Sequence, residues 1–174
     1  MDLMILDWIQ QNIVCDWLTP VMKCITFFGE YGLGWITIAV ALLIPKKTRW
    51  IGLSMGIALL AGFLIGECGL KNIIQRLRPF HFREIALMIP APDSFSCPSG
   101  HTTSSFAAAT SIFLYKKKWG AAALVLAALI GFSRMYFFVH YPTDILFGIA
   151  LGVACALAAR WLILQLRKKF QKEK

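Results

Sequence analysis

Eight residues able to handle a phosphate group fall in three short stretches: Lys71–Pro79 (KNIIQRLRP), Pro98–His101 (PSGH) and Ser133–Asp144 (SRMYFFVHYPTD). They are Lys71, Arg78, Ser99, Gly100, His101, Arg134, His140 and Asp144. Each stretch adjoins a strongly apolar run, where ionisable side chains are expensive and by default mark function. Lysine offers a point charge and arginine a planar fork matched to phosphate oxygens. One imidazole can attack phosphorus, and the other can protonate what leaves.

Lys71 and Arg78 are seven apart. That is close to two helical turns, so the spacing predicts that both face one direction, with Pro79 stopping the helix. Pro98 suits a first helical position, and Ser99 and Gly100 follow with free backbone donors. A helix start of this kind holds anions, and Gly100 lets one approach closely. The Ser99 hydroxyl adds a donor, and His101 lies within reach. In the third stretch, Pro142 should open a helix with Asp144 in its first turn. That carboxylate could reach back to His140, fix its tautomer and leave the other ring nitrogen free to attack. Each stretch alone has a plainer reading: snorkelling cations, a capped helix start with an incidental histidine, or a capping aspartate.

The elements that must position these residues are apolar. The chain has 174 residues, is 58% hydrophobic and has a mean hydropathy of +0.65. This predicts an all-α polytopic membrane protein, with residues 1–174 forming one domain and a motif core at 71–144. A bilayer core about 30 Å thick needs about 20 helical residues. On that measure six spans are expected in one bundle, at 17–29, 32–45, 50–75, 98–115, 119–139 and 142–165. Leu3–Gln11 is expected to be an interfacial helix anchored by Trp8. No signal peptide is expected, since MDLMILDWIQQN has acids and no basic n-region. The loop at 76–97, with Pro79, Pro90 and Pro92, should be irregular and pack over the site.

The net charge is +9, with 18 Lys+Arg against 9 Asp+Glu. The cations cluster in short runs between spans: Lys46, Lys47 and Arg49; Lys116–Lys118; and Arg167–Lys174. Such runs mark cytoplasmic loops beside anionic lipid, and no nucleic-acid partner is expected. With six alternating spans both termini would be cytoplasmic, and all three functional stretches would lie on the extracytoplasmic side. Arg76, His81 and Arg83 stand against the charge rule in the outer loop. Arg76 reads equally as an anion contact or a solvated loop edge. His81 and Arg83 read as headgroup contacts or solvated residues. Five cysteines show no metal-ligand or disulfide spacing, and Cys97 reads as packing or capping.

In this order the motifs resemble the type 2 phosphatidic acid phosphatase superfamily: Lys-x6-Arg-Pro (Lys71, Arg78, Pro79), Pro-Ser-Gly-His (Pro98–His101) and Ser-Arg-x5-His-x3-Asp (Ser133, Arg134, His140, Asp144). The resemblance implies a lipid phosphatase that needs neither metal nor other cofactor. His140 would form a phosphohistidine with Asp144 orienting it, and His101 would be the general acid. Lys71, Arg78, Arg134, Ser99 and the Gly100 backbone would hold the phosphate oxygens. It also implies a bacterial cytoplasmic membrane and a lipid phosphate as partner. Undecaprenyl diphosphate comes first, then phosphatidylglycerophosphate or phosphatidic acid. A lipid phosphotransferase is the competing enzyme class. A lipid transporter or scaffold is the competing non-enzyme, although a scaffold has no need of both histidines.

Overall fold

The computed structural model describes residues 1–172, all of its regular structure helical. Glu173 and Lys174, the end of the expected basic tail, lie outside the described residues. Helix α1 (Asp2–Asn12) opens with an acid in its first turn, the favourable end of the helix dipole for a carboxylate. Its inner face buries Leu6 and Ile9, while Met4 and Trp8 are exposed.

Helices α2 (Leu18–Phe28) and α3 (Leu33–Leu43) are joined by a tight turn, Glu30–Gly32. Tyr31 (φ 49°) and Gly32 (φ 68°) adopt left-handed conformations there. At about 1.5 Å per residue, 11 residues reach only about 16 Å, half a bilayer core. The two helices are bent by only 42°, so α3 continues the path of α2 rather than reversing it. The expected spans 17–29 and 32–45 are therefore one broken rod. Helix α4 (Arg49–Gly62) returns through a π-helical stretch, Phe63–Leu70, into α5 (Lys71–Ile74). After the loop come α6 (Gly100–Tyr115), α7 (Lys117–Tyr136) and α8 (Pro142–Lys172).

Among the described residues the bundle has five rods, α2–α3, α4–α5, α6, α7 and α8, and the six expected spans are not confirmed. Among the described residues three segments are long and apolar enough to cross a membrane: Arg49–His81, Lys117–Tyr136 and Pro142–Lys168. The bent pair makes a fourth. Helix α6, at 16 residues, is shorter, but it is the central rod that packs on α7, α8 and α4. Phe27, Leu60, Phe63, Leu146 and Phe147 remain exposed on the outside, as side chains facing lipid would be.

An odd number of rods separates the chain ends. Asp2 pairs with Arg76 and hydrogen-bonds Thr143 at one end of the bundle. At the other, Arg160 donates to the Leu114 carbonyl and Arg167 lies over the Trp50 ring. Two termini on one side, as six alternating spans would give, do not fit this arrangement.

Lipid tails are as apolar as leucine, so close backbone approach has to hold such rods together. Gly148 and Gly152 of α8 form a small-xxx-small seam against α6. A Cβ on Gly152 would lie 2.5 Å from the Thr103 carbonyl oxygen, and one on Gly148 2.9 Å from Thr102 Cβ. Ala107, Ala108 and Ala109 carry the small-residue surface along α6. Gly56, by contrast, has nothing within 4 Å of its Cβ position. Gly152→Leu is expected to destabilise the protein by about 2–3 kcal/mol, the usual penalty of overpacking, with Gly56→Ala near neutral. Thermal unfolding in detergent checks this, and equal midpoints for both variants would contradict the seam.

Candidate active site

One end of the bundle collects Lys71, Arg78, Ser99, Gly100, His101, Arg134, His140 and Asp144, with the 75–99 loop folded over them. The route differs from the helical spacing first read. Helix α5 ends at Ile74, Gln75 turns left-handed (φ 49°), and Arg78 is extended (ψ 157°). Lys71 and Arg78 therefore do not share a helix. The loop reunites them at Ser94: Lys71 Nζ donates to Ser94 Oγ at 3.0 Å, and Arg78 Nη2 donates to the same oxygen at 3.2 Å. Arg78 also donates to the carbonyls of Ser94 (2.7 Å) and Val139 (2.8 Å). Its Nη1 stands 3.1 Å from His140 Nε2.

His140 lies in the short link between α7 and α8. Pro142 opens α8, as its position predicts, and brings Asp144 back toward the ring. His140 Nδ1 is 3.5 Å from Asp144 Oδ2, close for charge but too long for a hydrogen bond. Asp144 is held instead by the Ser96 hydroxyl, the Tyr141 N–H at 2.9 Å and Arg76 Nη1 at 2.7 Å. Arg76 also donates to Thr143 Oγ1 and Asp2 Oδ2, and its guanidinium lies 3.8 Å over the Tyr141 ring. Arg76 is thus a clamp on Asp144, which its place in the sequence left open. Burial pushes the His140 imidazole well below the usual histidine pKa; the Asp144 carboxylate pulls it up, and Arg78 and Arg134 push it down.

Ser99 caps α6. Its buried hydroxyl accepts from Thr102 Oγ1 at 3.0 Å and, at the 3.5 Å limit, from the Thr102 N–H. The expected phosphate donor is therefore first a cap, and Pro98 precedes the cap instead of opening the helix. The Gly100 backbone is approached by Glu67: a Cβ there would lie 2.1 Å from Glu67 Oε1. The same carboxylate pairs with Lys71 Nζ at 2.9 Å. His101 Nε2 lies 3.4 Å from Glu30 Oε2. Arg134 is buried; Nη1 donates to Thr26 Oγ1 at 2.7 Å and Nε has no partner among the described residues. Arg134 is close enough to act electrostatically on both His101 and His140.

Three loop residues settle into structural places. His81 packs against Phe80, with ring centroids 4.5 Å apart and the rings tilted by 41°. Arg83 is half-exposed and reaches Asp7 at 3.4 Å, tying the loop to α1. Cys97 is buried beside Asp144, and burial, then that carboxylate, push its thiol up to about 11, in keeping with packing. Among the described residues no three His, Cys, Asp or Glu side chains group as metal ligands.

Sequence reasoning overlooked Glu30, Glu67, Ser94, Ser96, Asp2 and Thr26. The two glutamates carried a usable signal, since each is an acid inside or breaking an apolar span. The loop serines and Thr26 carried none.

The sequence model of the PAP2 superfamily matches residues 47–168. The undecaprenyl-diphosphatase of Sulfolobus acidocaldarius is 35% identical over 130 residues, covering 72% of this chain and 63% of that protein. The chain thus spans somewhat less than two thirds of that relative. LpxE of Aquifex aeolicus superposes with a TM-score of 0.79 at 25% identity, covering 91% of this chain and 93% of that one. A PAP2-type phosphatidylglycerolphosphate phosphatase of Bacillus subtilis gives 0.73 at 29% identity, covering 97% and 85%.

An imidazole with a lowered pKa stays neutral, and able to attack, as pH falls below the ordinary value of 6.5. The acid limb of kcat/KM for phosphate release, corrected for substrate ionisation, is therefore expected below 6.5. An acid limb above 7 in the pH–rate profile would contradict the buried environment of His140.

Proposed function

The chain belongs to the PAP2 superfamily, and we propose that it is a membrane lipid phosphatase working through a phosphohistidine on His140. The observation that carries this is a surplus of buried positive charge. Lys71, Arg78 and Arg134 are 4%, 3% and 3% exposed. Among the described residues neither Arg78 nor Arg134 pairs with a carboxylate; their partners are carbonyls, hydroxyls and a histidine ring. Burying an ion without a counter-ion is unfavourable by on the order of several kcal/mol. A phosphate group supplies the missing negative charge and the acceptor oxygens together.

His140 Nδ1 faces Asp144, so Nε2 is the attacking nitrogen. The N–P bond forms as the bond from phosphorus to the leaving oxygen breaks. His101 gives its proton to that oxygen, then takes one from the water that cleaves the N–P bond. Lys71, Arg78, Arg134 and the free N–H groups at the start of α6 hold the equatorial oxygens. Ser96 and Arg76 fix Asp144, and Ser99 shapes the helix start.

We read the protein as crossing the membrane five times, with α6 as the short central crossing. The basic runs of the α3–α4 and α6–α7 turns gather at the far end, where Thr48, Lys116 and Trp119 line one cleft. The positive-inside rule makes that end cytoplasmic and the site extracytoplasmic. Helix α1, with Asp2 and Asp7 and no lysine or arginine, then lies on the outer side, and only the C-terminus is cytoplasmic. A lipid phosphate would reach the site by lateral diffusion. Undecaprenyl diphosphate is the first candidate, supported by the name of the Sulfolobus relative. Phosphatidylglycerophosphate is the second, supported by the Bacillus structure.

Purified protein in detergent is expected to release phosphate from at least one of these lipids, and His140→Ala to reduce the rate by about a thousandfold or more. A transporter would keep moving lipid in that variant. EDTA is expected to leave the rate unchanged, because cations here take the part that metal ions play elsewhere; a strict requirement for Mg²⁺ would refute this mechanism. Arg76→Ala is expected to lower kcat about tenfold or more with little change in KM, since Arg76 touches Asp144 and not the substrate. A change confined to KM would place Arg76 on the lipid instead.

A further inference from the structure

We propose that Glu30 is a positioning residue for His101, a carboxylate that orients the proposed general acid and balances its charge through Nε2. The inference rests on the phosphatase reading above. His101 Nε2 is buried and has no hydrogen-bond partner of good geometry among the described residues; the polar group facing it is Glu30 Oε2 at 3.4 Å. The charges acting on the ring are Glu30, Arg134 and Lys71, two cations and this one carboxylate. A ring that must carry a proton among cations needs an anion beside it. Asp144 serves His140, so the two histidines have separate acidic partners.

The backbone is built to deliver this carboxylate. The α2–α3 rod breaks at Glu30, and the left-handed Tyr31 and Gly32 turn the segment against α6. A Cβ on Gly29 would lie 3.1 Å from His101 Cδ2 and 2.9 Å from Ile130 Cγ2, so a larger residue there would press on the His101 ring. Gly32 in turn lies against Ser104 of α6. Breaking an apolar rod to place an acid at mid-path is unfavourable unless the acid has a task. With Nε2 committed to Glu30, Nδ1 is the nitrogen left to serve the leaving oxygen.

The experiment compares two leaving groups. A lipid alkyl phosphate needs its departing oxygen protonated, whereas p-nitrophenyl phosphate leaves as a stabilised phenolate. Glu30→Gln is expected to slow release from the lipid phosphate about tenfold or more, with a several-fold smaller loss on p-nitrophenyl phosphate, as partial loss of general-acid catalysis requires. Glu30→Asp should recover most of the lipid rate. Glu30→Gln placed on His101→Ala should add nothing, since both act on one proton. Equal loss on both substrates, full additivity with His101→Ala, or no loss at all would overturn the proposal. If Glu30→Gln does not fold, Glu30→Asp decides, by whether its smaller loss is confined to the lipid phosphate. Wild-type protein that hydrolyses neither substrate would instead defeat the phosphatase reading itself.

Discussion

Buried guanidinium groups that pair with no carboxylate among the described residues are the constraint around which the site end of this bundle is organised. Arg78 spends its donors on the carbonyls of Ser94, Phe95 and Val139 and on one serine hydroxyl. Arg134 spends one on Thr26 and leaves Nε unpartnered. Neutral acceptors orient a guanidinium but do not cancel its charge. The acids nearby are otherwise engaged: Glu67 with Lys71, Asp144 with Arg76, and Glu30 beside His101. Under the proposed function, a tetrahedral dianion with several acceptor oxygens supplies the charge that these neutral partners do not.

The rest of the fold serves to hold that arrangement steady. Four parts of the chain bring the residues in: the end of α5 with its loop, the start of α6, the α7–α8 link and the break in α2–α3. None would hold the geometry alone, since each is a helix end with unpaired backbone groups. The glycine seam between α6 and α8 fixes Ser99–His101 against Asp144, and Ser99 N–H donates to the Asp144 carbonyl at 3.2 Å. Of the loop residues, Ser94 joins Lys71 to Arg78 and Ser96 clamps Asp144.

Much of this was legible in the sequence because residue type and apolar context survive any error in geometry. The three stretches, the eight residues and the opening of α8 at Pro142 follow from chemistry and span ends. What failed was inference through an assumed regular helix. Lys71 and Arg78 meet through a loop serine, because Gln75 breaks the helix before Pro79 can. Two short apolar runs read as two spans, because periodicity cannot distinguish a 42° bend from a reversal. With the two runs joined in one rod, Asp2 lies at the end of the bundle that holds Arg76. Ser99 reads from sequence as a phosphate donor, and its hydrogen bonds with Thr102 show that it also caps α6. Glu30 and Arg76 act through partners 71 and 68 residues away, separations that no local pattern encodes.

Orthovanadate tests the central assertion most directly, since it takes up the five-coordinate geometry of phosphoryl transfer. A structure of the vanadate-soaked protein should show vanadium bonded to His140 Nε2, with Arg78 and Arg134 on its equatorial oxygens and His101 toward the opposite apex. Vanadate held away from His140, or a pocket that leaves both guanidinium groups without an anion at saturating vanadate, would contradict the account.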